Sequence, residues 1–423
     1  MNGYCINGAD VVKAFTTSEM PTELYCELPH GFEEPGKVCI LHQALEGTKQ
    51  AAHLWQSNLS AFLIKEAGMT RSLIDPCLFT KETADGKIIL IVWVDDILTA
   101  TSNQKIADEF YELLGKRWNI KRDGAVEKFV GVEIVKGAKT ITIKQTQYIE
   151  KLYKRHLSER NTKQWKTPVG TSREDIGRFD KITHATTDEE VAAMAGKSML
   201  QLLGGLLFAS CMTRPDISYP VAFLCQYMQN ASPAAYDAGL GILAYLYETR
   251  DIGITYGRAS QKSPVPEVDG IDGLIAYTDS SFGKTPYPFG GGFVMHGNAA
   301  VAYFARKTKT PVPDSSCYAE MNVIVQTLKE AMFTKHIVED MFGKVGTPVL
   351  ITDSKAAYDI IKNPGVTKHS IHFERWIYVA RDAYLHNRAK FVLTTDATMM
   401  ADFLTKITDR TKFFTCRNFV MHV

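Results

Sequence analysis

Carboxylates beside short apolar runs are the residues of this chain that could do chemistry. Asp95 and Asp96 are adjacent inside the otherwise apolar run 88–100 (IILIVWVDDILTA), and Asp10 precedes another short apolar run. An ionised carboxylate loses hydration on burial, so it needs a cation beside it, and a divalent metal is the most economical one. Two-metal phosphoryl transfer uses several carboxylates that converge on ions about 4 Å apart. The three aspartates therefore predict a metal-dependent phosphoryl-transfer site.

A second set of four acids lies in the last third of the chain. Asp279 and Asp353 each follow a short β-branched run, whereas Glu320 and Asp402 lie in segments with a helical pattern. Helix capping is an alternative role for Asp353, and a favourable place in the first turn of a helix is one for Glu320. Taken together, two strand-end aspartates and two helical acids favour a second metal site.

The elements that must position the first set form an alternating pattern. Strands are predicted over 88–94 and 97–100, with the aspartate pair at a tight connection between them. The other elements expected over 54–248 are a helix over 54–65, a hairpin of 129–135 with 140–144, a basic amphipathic helix over 147–157, a loop over 167–189 and helices through 191–248.

The elements around the second set differ in type. Residues 257–273 are rich in Gly and Pro and predict a linker. After it, the pattern predicts strands over 274–278, 291–296, 299–305 and 349–352 and helices over 316–332 and 355–361. Strands followed by alternating helix and strand predict a separate α/β domain.

Composition narrows the classes of protein that fit. The chain has 423 residues, enough for two or three domains, and a net charge of +1, so nucleic acid could be bound only by local patches. One such patch is 144–166, with seven lysines or arginines against two glutamates; a solvated helix face is the alternative. None of the eight cysteines forms a C-x-x-C pair, and no long uncharged apolar segment predicts a membrane span.

An ordered series of motifs resembles the reverse transcriptase–RNase H region of copia-type LTR retrotransposon polyproteins. The matching segments are ADVVKAFTTSEMPTELYCELPHGF, LEGTKQAAHLW, WVDD, FVGVEI, MTRPDISYPVAFL, YTDSSFG, SSCYAEM, ITDSKAA, TKHSIHFERW and MMADFLTK. The resemblance implies an α/β and α+β multidomain chain with a reverse-transcriptase palm over 1–145, a thumb and connection region over 146–256, the linker over 257–273 and an RNase H-like domain over 274–423.

The resemblance also implies roles for individual residues. The polymerase carboxylates would be Asp10, Asp95 and Asp96, with Asp10 and Asp95 holding metal most directly. The RNase H acids and metal ligands would be Asp279, Glu320, Asp353 and Asp402. Nucleotide or primer contacts would come from Lys49, Gln50, Phe129 and Gly131, and duplex contacts from Lys144, Lys151, Lys154 and Arg155. His369 and His372 are expected to be structural.

Departures from the family pattern bear on activity. Trp93 stands where the family has Tyr, and Glu46, Thr48, Ala52 and His53 replace Tyr, Leu, Pro and Arg of the family's LYGLKQAPR. Tyr318 replaces one of two acids in the family's EAEY, while Glu320 is retained. The chain begins nine residues before Asp10, so the resemblance implies that the polymerase fingers are largely missing and the chain is truncated at its N-terminus.

The leading hypothesis is an RNA-directed DNA polymerase with ribonuclease H activity that uses Mg²⁺ or Mn²⁺. Its expected partners are an RNA template, a DNA primer, RNA–DNA hybrid and deoxynucleoside triphosphates, with no membrane. Its expected location is the cytoplasm, within virus-like particles, or the nucleus. The alternative is a catalytically silent remnant that binds nucleic acid, with the nuclease surviving better than the polymerase. An unrelated metal-dependent phosphatase explains the aspartate pair but not the motif order. The oligomeric state is left open.

Overall fold

The computed structural model describes residues 3–157, 166–257, 262–271, 273–283, 287–308, 312–363, 365 and 373–423. The chain divides into two compact units, one of Met1–Val130 with Asp340–Phe342 and one of Gly131–Glu339 with Gly343–Val423. Within the described ranges, no helix is both long and apolar enough to cross a bilayer. His369 and His372 lie outside the described residues.

The first unit is built around a six-stranded sheet with the order β4-β5-β6-β7-β1-β8. The strands of the unit as a whole, six of which form that sheet, are β1 (Cys5–Val11), β2 (Tyr25–Cys26), β3 (Cys39–Ile40), β4 (Thr70–Arg71), β5 (Leu78–Thr83), β6 (Gly86–Trp93), β7 (Asp96–Thr101), β8 (Ile120–Ala125) and β9 (Lys128–Phe129). Its helices are α1 (Ala51–Lys65) and α2 (Gln104–Arg117). The predicted helix and both predicted strands around the aspartate pair are confirmed.

One face of this sheet packs on the two helices. Along β7, the buried residues Ile97, Thr99 and Thr101 alternate with partly exposed ones, and Ile97 joins the core of Leu90 and Trp55. Since successive strand residues point to opposite faces, Asp96 lies on the face away from that core. The alternation therefore leaves one face of the sheet free to carry polar residues.

The second unit begins with a small sheet and a set of helices. The strands β10 (Val132–Lys136), β11 (Ile141–Lys144) and β12 (Ile254–Tyr256) pair in antiparallel fashion. The helices are α3 (Thr146–His156), α4 (Arg173–Asp180), α5 (Asp188–Ala193), α6 (Met199–Met212), α7 (Ser218–Leu224) and α8 (Pro233–Glu248). The predicted hairpin and basic helix are confirmed.

The loop prediction for 167–189 is wrong in its middle. The Ser172 hydroxyl accepts a hydrogen bond from the Asp175 amide and starts α4, and Phe179 buries its ring against Phe223. A capped helix with a single apolar anchor has too little periodicity to be recognised in a polar sequence.

A five-stranded sheet forms the C-terminal part of the second unit, in the order β15-β14-β13-β16-β17. The strands are β13 (Ile275–Ser280), β14 (Phe289–His296), β15 (Ala299–Lys307), β16 (Val349–Thr352) and β17 (Lys390–Leu393), and the helices are α9 (Ser316–Phe342), α10 (Lys355–Lys362), α11 (Glu374–Leu385) and α12 (Arg410–Met421). The first three strands are antiparallel, whereas β13, β16 and β17 are parallel. The α/β prediction is confirmed here.

The linker predicted over 257–273 is not an exposed spacer where the structure describes it. Val265 and Val268 are 2% and 1% exposed, and they belong to the same apolar core as Leu243 and Tyr277. Burial of two valines anchors this segment, which its Gly and Pro content did not indicate. Residues 131–256 fall in the same compact unit as 274–339 and 343–423, and the division into palm, thumb and RNase H-like domain stays a prediction.

Candidate catalytic sites

Three acids of the second unit converge on one point, and we call them the acid cluster. Asp279 lies near the end of β13, Asp353 follows β16, and Glu320 lies on α9. The strands are parallel neighbours with Tyr277 opposite Ile351, so their carboxyl ends meet at one edge. One carboxylate oxygen from each of the three acids lies within 4.8 Å of the others.

The alternative structural roles for two of these acids are wrong. The cap of α10 is Ser354, whose hydroxyl accepts a hydrogen bond from the Ala357 amide, so Asp353 is not the capping residue. Glu320 lies beyond the first turn of α9, which begins at Ser316. Neither acid therefore serves the helix end that its sequence position suggested.

Burial makes the acid cluster electrostatically unfavourable without a cation. Asp279 and Glu320 are 3% and 8% exposed, and Glu320 Oε2 finds no hydrogen-bond partner among the described residues. Burial raises the pKa of Asp279 to about 6 and the pKa of Glu320 well above its usual value, and the neighbouring acids add to both effects. Burial and Asp402 likewise raise the pKa of Asp353.

The cluster fits a hard divalent cation. Mg²⁺ and Mn²⁺ prefer oxygen ligands, and an unpartnered buried carboxylate oxygen aimed into a group of acids is a suitable one. The Ser280 amide donates a hydrogen bond to Glu320 Oε1 at 3.2 Å, which fixes the carboxylate and leaves Oε2 for a ligand.

Asp402 lies beside the acid cluster but outside the set of atoms within 4.8 Å. It opens a short 3₁₀ turn, Asp402–Leu404, rather than the predicted α-helix. Its Oδ1 lies 2.6 Å from Lys406 Nζ, and its Oδ2 lies 3.0 Å from Lys412 Nζ. Its predicted role as a metal ligand stays a prediction.

Three neighbours of the acids were missed by sequence reasoning. Thr405 donates a hydrogen bond to Asp279, and Lys406 Nζ lies 3.7 Å from Asp279 Oδ2. Lys406 lies four residues after Asp402 within MMADFLTK, a spacing that could have indicated the ion pair. No local pattern indicates Lys412, because α12 brings it to Asp402.

The polymerase candidates meet at a hairpin on the open face of the first sheet. Asp10 on β1 lies opposite Asp96 on β7, so their side chains share one face, while Asp95 lies in the two-residue connection. Burial raises the pKa of Asp10 and of Asp96, and Asp95 raises both further. All three are only partly buried, contrary to the interpretation of a buried pair. Among the described residues, these three aspartates do not form a group whose carboxylate oxygens all lie within 4.8 Å of one another.

The connection itself is strained. Val94 has a φ of 57°, a left-handed conformation that is costly for a β-branched residue. Trp55 Nε1 donates a hydrogen bond to the Val94 carbonyl at 2.6 Å. A buried tryptophan on α1 thus holds the turn that presents Asp95.

Comparisons with known proteins show which family the chain resembles. Residues 1–170 match the family model described as reverse transcriptase (RNA-dependent DNA polymerase). The chain is 31% identical over 329 residues to the transposon Ty5-1 protein of Saccharomyces cerevisiae, covering 76% of this chain and 99% of that protein.

This chain belongs to the copia-type retrotransposon reverse transcriptase family.

Two further similarities extend over nearly all of this chain but over less than half of the other protein. The chain is 27% identical over 420 residues to the retrovirus-related Pol polyprotein from transposon TNT 1-94 of Nicotiana tabacum, covering 98% of this chain but 30% of that polyprotein. A foamy viral protease-reverse transcriptase, solved in complex with an RNA/DNA hybrid, aligns with a TM-score of 0.48 and 14% identity over 96% of this chain and 45% of that one.

Of the residues that the copia-type pattern assigns to nucleotide and primer, two are exposed and two are partly buried. Lys49 and Gln50 are exposed just before α1, and Gln50 makes no side-chain cap to the helix. Phe129 lies in the two-residue strand β9, and Gly131 follows with a φ of 76°. A Cβ on Gly131 would lie 3.2 Å from Phe208, so this position needs glycine.

The basic residues assigned to duplex binding divide into two kinds. Lys151, Lys154 and Arg155 are exposed on α3, whose opposite side buries Ile149 and Leu152. Lys144 is partly buried, and its Nζ lies 3.3 Å from Asp251. The rest of the run, 158–165, lies outside the described residues. A solvated face explains this exposure equally well, so nucleic-acid binding stays a prediction.

Proposed function

We propose that this chain cleaves the RNA strand of RNA–DNA hybrids. The convergence of Asp279, Glu320 and Asp353 within 4.8 Å, with an unpartnered buried oxygen, carries this proposal. The family membership supports it, because the acids stand at the positions that match the family's RNase H motifs. Mg²⁺ or Mn²⁺ is the proposed cofactor.

The acid cluster would act by holding divalent cations that activate water and neutralise charge on the phosphate. Asp279 and Asp353 come from neighbouring strand ends, so their spacing is fixed by backbone hydrogen bonds rather than by loops. The Ser280 amide and Thr405 hydroxyl orient two of the carboxylates before any substrate arrives. A hybrid would be recognised by its backbone shape and 2′-hydroxyls rather than by base sequence.

Hydrolysis of a labelled RNA–DNA hybrid in Mg²⁺ tests the nuclease. We expect cleavage by the wild type and a loss of at least about 10²-fold in Asp353→Asn, which removes one cluster charge. Asp359→Asn is the matched control, because Asp359 is exposed on the adjoining helix α10. Equal rates in wild type and Asp353→Asn would refute the assignment.

We also propose that the first unit is a polymerase palm. The primer 3′-hydroxyl would attack a deoxynucleoside triphosphate on an RNA template, with Asp10, Asp95 and Asp96 supplying the metal-binding carboxylates. The shared face of Asp10 and Asp96 supports a cation site there, as does the raised pKa of both, which burial and then Asp95 produce.

Primer extension on an RNA template with Mg²⁺ tests the polymerase. We expect product from the wild type, none from Asp95→Asn, and normal product from Asp85→Asn, which changes an exposed turn carboxylate paired with Lys105. Product undiminished by Asp95→Asn would disprove the proposal, as would an inactive wild type that still cleaves hybrid.

A catalytically silent nucleic-acid-binding protein is the second candidate. The exposed Trp93 beside the aspartate pair, 56% exposed, favours it for the polymerase half, since it lacks the family's tyrosine hydroxyl. The intact acid cluster opposes it for the nuclease half. Hybrid binding without cleavage, unchanged in Asp353→Asn and Asp95→Asn, would establish this alternative.

The proposed location is the cytoplasm, within virus-like particles, or the nucleus. Reverse transcription needs RNA template and primer at high local concentration, which a particle provides. Fractionation of cells expressing the tagged chain, with particles separated by sedimentation, tests this placement.

A further inference from the structure

Two lysine ammonium groups meet at Asp402, and one of them also lies beside the acid cluster. Lys406 Nζ lies 2.6 Å from Asp402 Oδ1 and 3.7 Å from Asp279 Oδ2, so it bridges two carboxylates that the family motifs assign to metal binding. A cation between two buried acids offsets their repulsion in the same way as a metal ion would.

Lys412 has a different set of contacts. Its Nζ lies 3.0 Å from Asp402 Oδ2, and it also donates hydrogen bonds to the Asp396 and Ala397 carbonyl oxygens. These carbonyls belong to a turn of the chain, so Lys412 ties that turn to Asp402. Both oxygens of Asp402 thus lie within ion-pair distance of an ammonium group, although the angle at Oδ1 is not that of a hydrogen bond.

The acid cluster retains a place for one ion. Asp279, Glu320 and Asp353 are within 4.8 Å of one another, and Glu320 Oε2 is buried and unpartnered among the described residues. Lys406 lies between Asp279 and Asp402, because its Nζ is within 4 Å of Asp279 Oδ2 and of Asp402 Oδ1. The centre therefore has one open cation position and one filled by a side chain.

We propose that the Lys406 ammonium is a built-in cation that fills the second cation position between Asp279 and Asp402 and limits the substrate-free centre to one divalent ion. This inference rests on the proposed nuclease centre. Lys406 is therefore a positioning residue, because it acts through the Asp279 and Asp402 carboxylates that it contacts.

The structure offers space for Lys406 to leave. Its side chain also lines a cavity of about 540 Å³ together with Tyr219, Phe289 and Asp180. A long, flexible side chain at a cavity wall can reorient without rebuilding the core. A second ion could then enter only by displacing the ammonium group.

Counting of bound Mn²⁺ tests this inference in the full chain without substrate, by the loss of the free-ion electron paramagnetic resonance signal. We expect Lys406→Met to bind one Mn²⁺ more than the wild type, with at least about tenfold tighter binding of that ion, because the ammonium group that fills the position and repels a second cation is removed. Lys406→Arg keeps the cation and should match the wild type. Lys390→Met, at an exposed position on β17, is the control for lost lysine charge.

Asp353→Asn distinguishes the two levels of the account. If it lowers the count by one while Lys406→Met raises it by one, both the centre and the built-in cation are supported. If Asp353→Asn lowers the count but Lys406→Met equals the wild type, the Lys406 inference is overturned and the nuclease centre stands. If Asp353→Asn changes nothing, both are overturned. Thermal melting of each variant checks folding, and Lys406→Gln replaces Lys406→Met if the latter fails to fold.

Discussion

Glu320 is a buried acid whose surroundings disfavour its ionised form. It lies on α9 with one oxygen held by the Ser280 amide and the other unpartnered among the described residues, while burial and Asp279 raise its pKa. Each unit by which a folded-state pKa is raised corresponds to about 1.4 kcal/mol. Such a cost is tolerated at functional sites, where a ligand offsets it on binding.

Glu320→Gln should stabilise the metal-free protein. A carboxyl with a raised pKa stays protonated in the fold while it ionises in the unfolded chain, so stability falls as the pH rises above the unfolded value. The variant should match the wild type near pH 4 and exceed it in the free energy of unfolding at pH 8 in chelator. Unfolding midpoints measured across this pH range check it, and a constant difference would contradict it.

Val94→Gly should also raise stability, for a reason confined to the backbone. Val94 has a φ of 57°, and its side chain is exposed, so glycine relieves strain with little loss of packing. We expect a gain of about 1 kcal/mol in the free energy of unfolding by denaturant titration. Val92→Gly, on the buried side of β6, should instead destabilise the protein; a loss in both variants would contradict the strain.

At the scale of elements, a buried ion pair joins the helices of the second unit. Arg214 and Asp216 are fully buried, and Arg214 donates to both oxygens of Asp216 and to the Thr249 carbonyl. Tyr245 on α8 donates a hydrogen bond to Asp216 at 2.6 Å. This group ties the turn between α6 and α7 to the end of α8.

Arg214→Met should destabilise the fold by about 3–5 kcal/mol, because it leaves Asp216 buried without its cation. Arg250→Met is the comparison, since Arg250 pairs with Glu150 near the surface and should cost under about 1 kcal/mol. Chemical denaturation of both variants measures the difference, and similar small losses would contradict a structural role for the buried pair.

Elements with strong apolar periodicity could be predicted from the sequence, and those held by distant contacts could not. The β6–β7 hairpin and β16 were predicted because alternation and β-branched runs are local signals. The helix α4 and the buried valines of 262–271 depend on partners far away in the chain. Likewise, the acids were found by motif, whereas Lys412 reaches Asp402 only through the fold.

At the scale of the whole molecule, charge is balanced and binding must be local. The net charge is +1, yet Lys151, Lys154 and Arg155 project together from α3. A protein that contacts phosphates releases counterions, so its affinity falls with salt in proportion to the contacts made. The contribution of this basic helix face to binding can therefore be measured from the salt dependence of affinity.

Replacing Lys151, Lys154 and Arg155 by Gln should weaken binding to RNA–DNA hybrid and reduce the slope of log affinity against log salt by about 3 in magnitude. The matched control replaces Lys105, Lys116 and Arg117, three exposed cations on α2. Fluorescence anisotropy over a salt series gives both slopes. Equal changes in the two triple variants would show that α3 has no special place in binding.

The central claim is that the acid cluster is a working nuclease centre. The most direct measurement is Mg²⁺-dependent cleavage of a labelled RNA–DNA hybrid by wild type, Asp353→Asn and Asp95→Asn. We expect cleavage by the wild type and by Asp95→Asn, which changes only the other unit, and at least about 10²-fold slower cleavage by Asp353→Asn. Equal cleavage by all three, or none by a folded wild type that binds the hybrid, would contradict it.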